Sequence, residues 1–443
     1  MRKIFMLLIL FSSILTVGCS NNLEGDSLLL APKLPIEVEE VKSILSENFS
    51  KELDLINPII GESNNSIQFV DLDNDGKDEV LVFHKVKDDK FPVRIAILTK
   101  ISDTEWIVNN TIKGIGYDVN KIVYSDMDND GIKEIIVGWQ GGTILNKGLS
   151  IYSYSKGDIS ETYEDTYTEF DVKDFTSDGT KELMIIKLNR SEGVSKAFLY
   201  DYKNSAVSFI DETLMDGYIN NYYHVTSGNA YNGLNGMFLD ASVGAHSAFT
   251  DLLVYQNGEL KNIFYDENWS STNTTFKAYP RKSKDIDSDG TIEIPILIAP
   301  KGYENASMSD TPWLTVWYKW DGKKDLIRSN ESYQDFKHGF EFVFPNDWDK
   351  HVTLEFARKN NSLIKFTLDD DEKTQILDIL ILSSEEYESM KEKPEIKLYK
   401  KIKTTFKKVY LLRQYIYDNS NKYYLDEDRF KELLKINYEN NKN

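Results

Sequence analysis

The chain has 443 residues, with 52 Lys and Arg against 72 Asp and Glu, a formal charge of −20 and a single cysteine. So acidic a protein excludes nucleic acid as a partner, because phosphate binding needs a basic face. One cysteine excludes an internal disulfide, and the length allows two or three domains with a sizeable core.

The amino end carries Arg2 and Lys3, an apolar run from Ile4 to Val17, then Gly18-Cys19. A basic start, a short greasy core and a small residue before the cut predict a secretory leader over residues 1–18. The run is too short for a membrane span, which needs about 20 residues. Cysteine directly after glycine resembles the bacterial lipobox, although Thr16 stands where leucine is usual. That resemblance implies a lipidated Cys19, anchoring the exported chain to the outer face of a bacterial membrane. Residues 19–36 read as a tether. From Glu37 to Leu53, apolar residues at Val38, Val41, Ile44, Leu45 and Phe49 keep helical spacing. Their opposite face is acidic rather than basic, so residues 37–60 predict a helix and lead-in packed on the next domain.

Four stretches then share a nine-residue pattern: Asp71 to Glu79, Asp126 to Glu134, Asp174 to Glu182 and Asp285 to Glu293. Acidic or hydroxyl side chains fall at positions 1, 3 and 5, glycine at 6 and glutamate at 9. Thr176 is the only departure from aspartate at the first three of these. Calcium takes six to eight oxygens, and alternate residues of a tight loop can aim side-chain oxygens at one point. The glycine permits the sharp turn. A solvated Asp/Asn/Gly turn would explain one copy, but not four in the same frame. An EF-hand needs glutamate at position 12, where this chain has Val82, Val137, Ile185 and Ile296. The short, largely β-branched runs after each loop read as buried strands instead.

Loops of the form Asp-x-Asp-x-Asp-Gly-x-x-Glu between strands resemble those of the FG-GAP/VCBS repeat family, which includes the integrin alpha-subunit head. The resemblance covers roughly residues 60–325 and lacks a Phe-Gly-Gly-Ala-Pro signature. It implies a β-propeller with structural Ca2+ in about four loops. By position, it implies ligands Asp71, Asp73, Asp75 and Glu79, and Asp126, Asp128, Asp130 and Glu134. In the later copies they are Asp174, Thr176, Asp178 and Glu182, then Asp285, Asp287, Asp289 and Glu293. Thr176 gives the third site one charge fewer, so it is expected to be the weakest.

First aspartates at 71, 126, 174 and 285 leave gaps of 55, 48 and 111 residues. The doubled gap predicts a unit without its loop, and a strand at Leu252 to Tyr255 puts the start of that lost loop between Tyr223 and Asn229, in an Asn/Gly-rich stretch. Five units of this period predict a propeller of about five blades over residues 61–328. The degenerate unit gathers Tyr223, His224 and Tyr231, with His246 further on, as candidate ligand-binding residues on permissive loops. Drift of an ordinary blade is the plainer account of the same residues.

After Trp320-Asp321-Gly322 the pattern changes, and residues 329–443 read as a separate α+β domain. Gly339 to Pro345, Val352 to Phe356 and Leu363 to Leu368 suggest strands, and Ser383 to Met390 a helix with a serine cap. Lysines at 397, 400, 401, 403, 407 and 408 form the one basic stretch; a solvated or docked strand face is its ordinary role. No zinc-protease, nucleophile-elbow or phosphate-loop motif is present, and the five histidines lack ligand spacing. The expected fold is thus mainly β, a propeller followed by an α+β domain. The expected protein is a surface lipoprotein whose propeller binds an envelope protein or glycan. An extracellular enzyme acting on polysaccharide, with its site in the propeller funnel or near His224 and His246, is the alternative.

Overall fold

The computed structural model describes residues 40–45, 53–102, 105–141, 147–155, 157–265, 274–348, 352–357, 362–370 and 373–436. The leader, Cys19, the tether and most of the 37–53 segment lie outside the described residues, as does His351. Among the described residues no helix is long and apolar enough to cross a membrane.

Consecutive hairpins build five antiparallel sheets in chain order, the meander of propeller blades. The second holds Asp118–Ser125, Glu134–Gln140, Lys147–Ser155 and Asp158–Tyr167 in sequential pairing. The third holds Glu169–Lys173, Glu182–Asn189, Val194–Lys203 and Ala206–Asp216, and the fourth Asn221–Tyr231, Leu234–Val243, Ser247–Gln256 and Glu259–Asn262. In the first, Asp54–Leu55 and Ile67–Val70 share the inner edge of Glu79–Lys85, which is followed by Val93–Ser102 and Glu105–Lys113. In the fifth, the innermost strand shrinks to a single bridge between Lys284 and Glu293, beside Ile294–Ile298, Leu314–Trp320 and Leu326–Asp335. Pro295, which cannot donate to a ladder, suits a strand so poorly covered on its inner side. The runs expected after each loop are the second strands of their blades.

The fourth sheet shows what stands where the lost loop is expected. The strand Asn221–Tyr231 runs through the interval in which spacing starts that loop. The connection is instead the two-residue turn Asn232-Gly233, both at positive φ (48° and 86°). That is the Asn-Gly hairpin whose twist matches its strands.

Each blade is apolar on both faces, and alternate residues serve alternate neighbours. Leu81, Phe83, Ile95 and Ile97 face Ile122, Val137 and Trp139 of the second blade. Val80, Val82, Ala96 and Leu98 of the same strands face Val41 and Leu45 of the helical residues 40–45. Similar clusters join the second blade to the third, the third to the fourth and the fourth to the fifth. Among the described residues, no apolar cluster joins the fifth to the first.

The far face of the fifth blade is covered by the C-terminal part. A further five-stranded sheet, ordered Val352–Phe356, Leu363–Leu368, Gln375–Ser383, Lys408–Gln414 and Lys400–Thr404, packs there. Its helix Ser384–Met390 starts with a capping box between Ser383 and Glu386, as its sequence suggests. The two parts are interleaved rather than abutted. Residues 328 and 329, where the sequence suggests a boundary, lie inside the strand Leu326–Asp335. Phe340–Val343 extends the fifth blade, and the chain's last described strand, Leu434–Ile436, pairs with it in turn. Phe342 sits at the junction, with ring centroids 5.3 Å from Phe366, 5.2 Å from Phe430 and 6.0 Å from Trp348. Phe342→Ala should destabilise the protein by about 3–5 kcal/mol. Hydrogen exchange should show the fifth blade and the C-terminal sheet losing protection together.

Candidate metal centres and a lateral cleft

Each of the four loops enters the second strand of its blade at the glutamate, and the four backbones repeat one another. Position 4 has positive φ in all of them: Asn74 57°, Asn129 60°, Ser177 62° and Ser288 64°. So does the glycine at position 6, at 84°, 89°, 92° and 89°, which is why glycine recurs there. The first aspartate accepts from the glycine N–H, as in Gly76 to Asp71 Oδ2 at 3.0 Å and Gly131 to Asp126 Oδ2 at 3.1 Å. Gly179 and Gly290 donate likewise to Asp174 and Asp285.

The glutamate ties the loop shut. Its Oε2 accepts from the N–H at position 2: Leu72 at 3.0 Å, Met127 at 3.0 Å, Phe175 at 2.7 Å and Ile286 at 3.0 Å. The side chains at position 2 are all buried and apolar. They anchor the loops in the core, a role the oxygen pattern does not disclose although an apolar residue stands there in every copy.

Carboxylate oxygens of Asp71, Asp73 and Glu79 lie within 4.8 Å of one another, as do those of Asp126, Asp128 and Glu134, and of Asp174, Asp178 and Glu182. In the fourth loop Asp285, Asp287, Asp289 and Glu293 all converge. Asp75 and Asp130 stand outside their groups; each accepts from the N–H two residues on, at 2.8 Å. Thr176 spends its hydroxyl on Glu182 Oε1 at 2.9 Å.

The first three loops fit a hard divalent cation. Each keeps one buried aspartate oxygen without a hydrogen-bond partner: Asp73 Oδ1, Asp128 Oδ1 and Asp174 Oδ1. Leaving such an oxygen unpaired costs about 1–3 kcal/mol, and an all-oxygen donor set suits calcium. Burial, with the nearby Asp128 and Asp130 charges, pushes Glu134 up to about 7; burial also raises Glu79 and Glu182. The fourth loop differs, because Lys319 Nζ lies 3.4 Å from Asp287 Oδ2 and 3.1 Å from Glu293 Oε1 and contacts Asp289 Oδ2.

The loops are also linked from blade to blade. Lys133 N–H donates to Leu72 O at 2.7 Å and Lys181 N–H to Met127 O at 2.9 Å. Asn235 Nδ2 of the loopless fourth blade donates to Asp174 O at 2.7 Å.

At the opposite end of the fourth blade, a cleft of about 870 Å³ is lined by Asn220, Asn221, His246, Tyr279 and Met308 among others, none of them acidic. Of the four candidate ligand residues only His246, exposed beside Gly244, lines it. Tyr223 lies behind, its hydroxyl donating to Arg281 O at 2.9 Å and accepting from Arg281 N–H at 3.1 Å. His224 Nδ1 is 3.0 Å from Asp240 Oδ2. Tyr231 stands at the far end of the same strand, edge-on to Trp320. A strand of eleven residues separates its ends too widely for one site.

Asp240 is the hub of the blade that lacks a metal loop. The fully buried Lys277 donates to its Oδ1 at 2.7 Å, Thr250 at 2.6 Å and Ser283 at 2.9 Å. Burial alone would raise the Asp240 carboxyl, but the Lys277 ammonium and the His224 hydrogen bond hold it well below the usual range. The remaining described histidines look structural: His84 is buried on its strand, and His338 Nδ1 is 2.6 Å from Asp335 Oδ2.

No family model matches the chain, and no curated protein does. Solved structures similar to it include the rhamnogalacturonan lyase YesW, with 9% identity, TM-score 0.32 and coverage of 74% of this chain and 76% of that one. The exotype rhamnogalacturonan lyase YesX shows 13% identity, TM-score 0.31 and coverage of 70% and 72%. The β-propeller domain of the Trilobed protease from Pyrococcus furiosus, with an open velcro topology, shows 11% identity, TM-score 0.30 and coverage of 70% and 92%. At such scores the propeller assignment rests on the blades themselves. The resemblance to FG-GAP/VCBS repeats remains one of loop pattern, which no family model supports.

Metal binding at a raised glutamate must expel a proton. Glu134 has its pKa near 7 in the metal-free loop, so it is partly protonated at and below neutrality. Calcium titration in weak buffer should therefore release protons at roughly pH 6 and almost none at roughly pH 8.5, with affinity rising between. A pH-stat measurement checks this.

Proposed function

We propose that the protein is an exported, lipid-anchored binding module whose blades are held by calcium and whose ligand is an envelope protein or glycan. The observation that carries the metal part is the convergence of carboxylates in loops of one repeated geometry, with buried oxygens left over for a cation. The anchor rests on the leader-like start and Cys19. The cleft beside His246 is the ligand site in this reading, because it joins histidine, tyrosine and amide side chains on loops carried by a rigid sheet.

The alternative, an enzyme acting on polysaccharide, draws on the size of that cleft. Glycoside hydrolysis by the usual route needs two flanking carboxylates, and the cleft lining offers none. For this cleft, binding is a better account than glycoside hydrolysis.

The test is thermal unfolding of the chain without its leader, in calcium and then in chelator, alongside calorimetric ion counting. A ligand bound only to the folded state at a hundred times its Kd contributes about 2.7 kcal/mol. Three filled loops should raise the melting temperature by about 10 °C. No bound ion and no shift would sink the calcium reading. His246→Ala should reduce capture of solubilised envelope polysaccharide or protein at least about tenfold, a loss of about 1.4 kcal/mol, with melting temperature and ion count unchanged. Equal capture by both proteins would remove the cleft from consideration.

A further inference from the structure

One residue sets the fourth loop apart from the other three. Where second and third strands pair, Val80 is opposite Leu98, Ile135 opposite Tyr152, Leu183 opposite Tyr200 and Ile294 opposite Tyr318. Counting one step further along each ladder puts Thr99, Ser153, Asp201 and Lys319 level with the loop glutamates, and Lys319 Nζ lies 3.1 Å from Glu293 Oε1. Two hydroxyls and a carboxylate are compatible with a divalent ion at that place. An ammonium is not, because it brings like charge to within contact distance of the metal.

Lys319 is turned inward, with 24% of its side chain exposed. Its Nζ contacts Asp289, lies 3.4 Å from Asp287 Oδ2 and 3.1 Å from Glu293 Oε1. These are three of the four carboxylates that would surround a cation. The other, Asp285, is already held by backbone N–H groups: Oδ1 accepts from Ser288 at 2.6 Å, and Oδ2 from Gly290 at 2.9 Å. In the first three loops an aspartate oxygen is left buried and unpaired. In the fourth, the comparable orphan is Glu293 Oε1, which faces the ammonium as an ion pair outside hydrogen-bond geometry.

We propose that the Lys319 ammonium takes the place of the metal ion in the fourth loop. The fifth blade then keeps its turn without calcium, and the chain binds three ions rather than four. The inference rests on the calcium reading of the other loops. It places the calcium-independent blade where the C-terminal sheet is attached, so chelation would loosen the early blades and spare that junction.

The test is ion counting by equilibrium dialysis on the mature chain, with loop-resolved hydrogen exchange in calcium and in chelator. Three ions are expected, with chelator raising exchange in residues 71–79, 126–134 and 174–182 but not in 285–293. Asp287→Asn should leave the count unchanged, whereas Asp73→Asn should lower it by one. Lys319→Met should add one ion and make exchange at 285–293 sensitive to chelator. If that variant fails to fold, the wild-type exchange and Asp287→Asn still decide. Four ions in the wild type, or a chelator response at 285–293, overturns the proposal. No ions and no response in any loop overturns the calcium reading as a whole, with Lys319 a plain ion pair.

Discussion

A carboxylate carried out of water must be met by donors, and the buried glutamate that opens the second strand of four blades imposes that demand on this chain. One oxygen of each accepts the N–H of position 2, which closes the loop and drives an apolar side chain into the core. Closure in turn forces left-handed backbone at positions 4 and 6 and turns the first aspartate toward the glycine N–H. What is left over is negative charge in a confined space. Three loops leave it for a cation from solution to neutralise, and the fourth meets it with a lysine from the neighbouring strand.

The same economy of local polar knots runs through the rest of the molecule. With one cysteine, no disulfide can tie strand to strand. The blade that has no metal loop closes with an Asn-Gly turn and carries a buried Lys277–Asp240 pair at its other end. In the last sheet, Asp378 is buried and satisfied by Gln375, Tyr399 and Tyr415. Removing one partner of a buried ion pair usually costs more than the pair contributes, so these knots specify register as much as they add stability.

Much of this was legible in the chain because its signals are local. The nine-residue loops and the apolar runs behind them follow from short-range pattern alone, as does the Ser383 cap. In the fourth blade, spacing locates the lost loop to within a few residues but does not disclose its form. Nine residues counted from near Asn229 take in the Asn232-Gly233 dipeptide, the short-range hairpin signal that closes the blade. Phe340–Val343 alternates like any strand, and nothing in its sequence says that its partners are Ser332–Asp335 and Leu434–Ile436. Lys319 needed the register between strands, which no single stretch contains. Tyr223, His224 and Tyr231 are close in sequence, yet an extended backbone carries the last of them to the opposite end of the blade.

The blades of this protein meet their neighbours through separate clusters, and the two outer faces are covered by unlike elements, residues 40–45 at one end and the C-terminal sheet at the other. A ring fixes its number of blades through the angle at which it must close. Among the described residues, the apolar clusters run only from neighbour to neighbour between these two covers, as in stacked repeats. Duplication or loss of one unit of about fifty residues would leave the clusters between the remaining neighbours, as the described residues form them, in place. The architecture can therefore change length over evolutionary time while the covers, and whatever they hold, stay as they are.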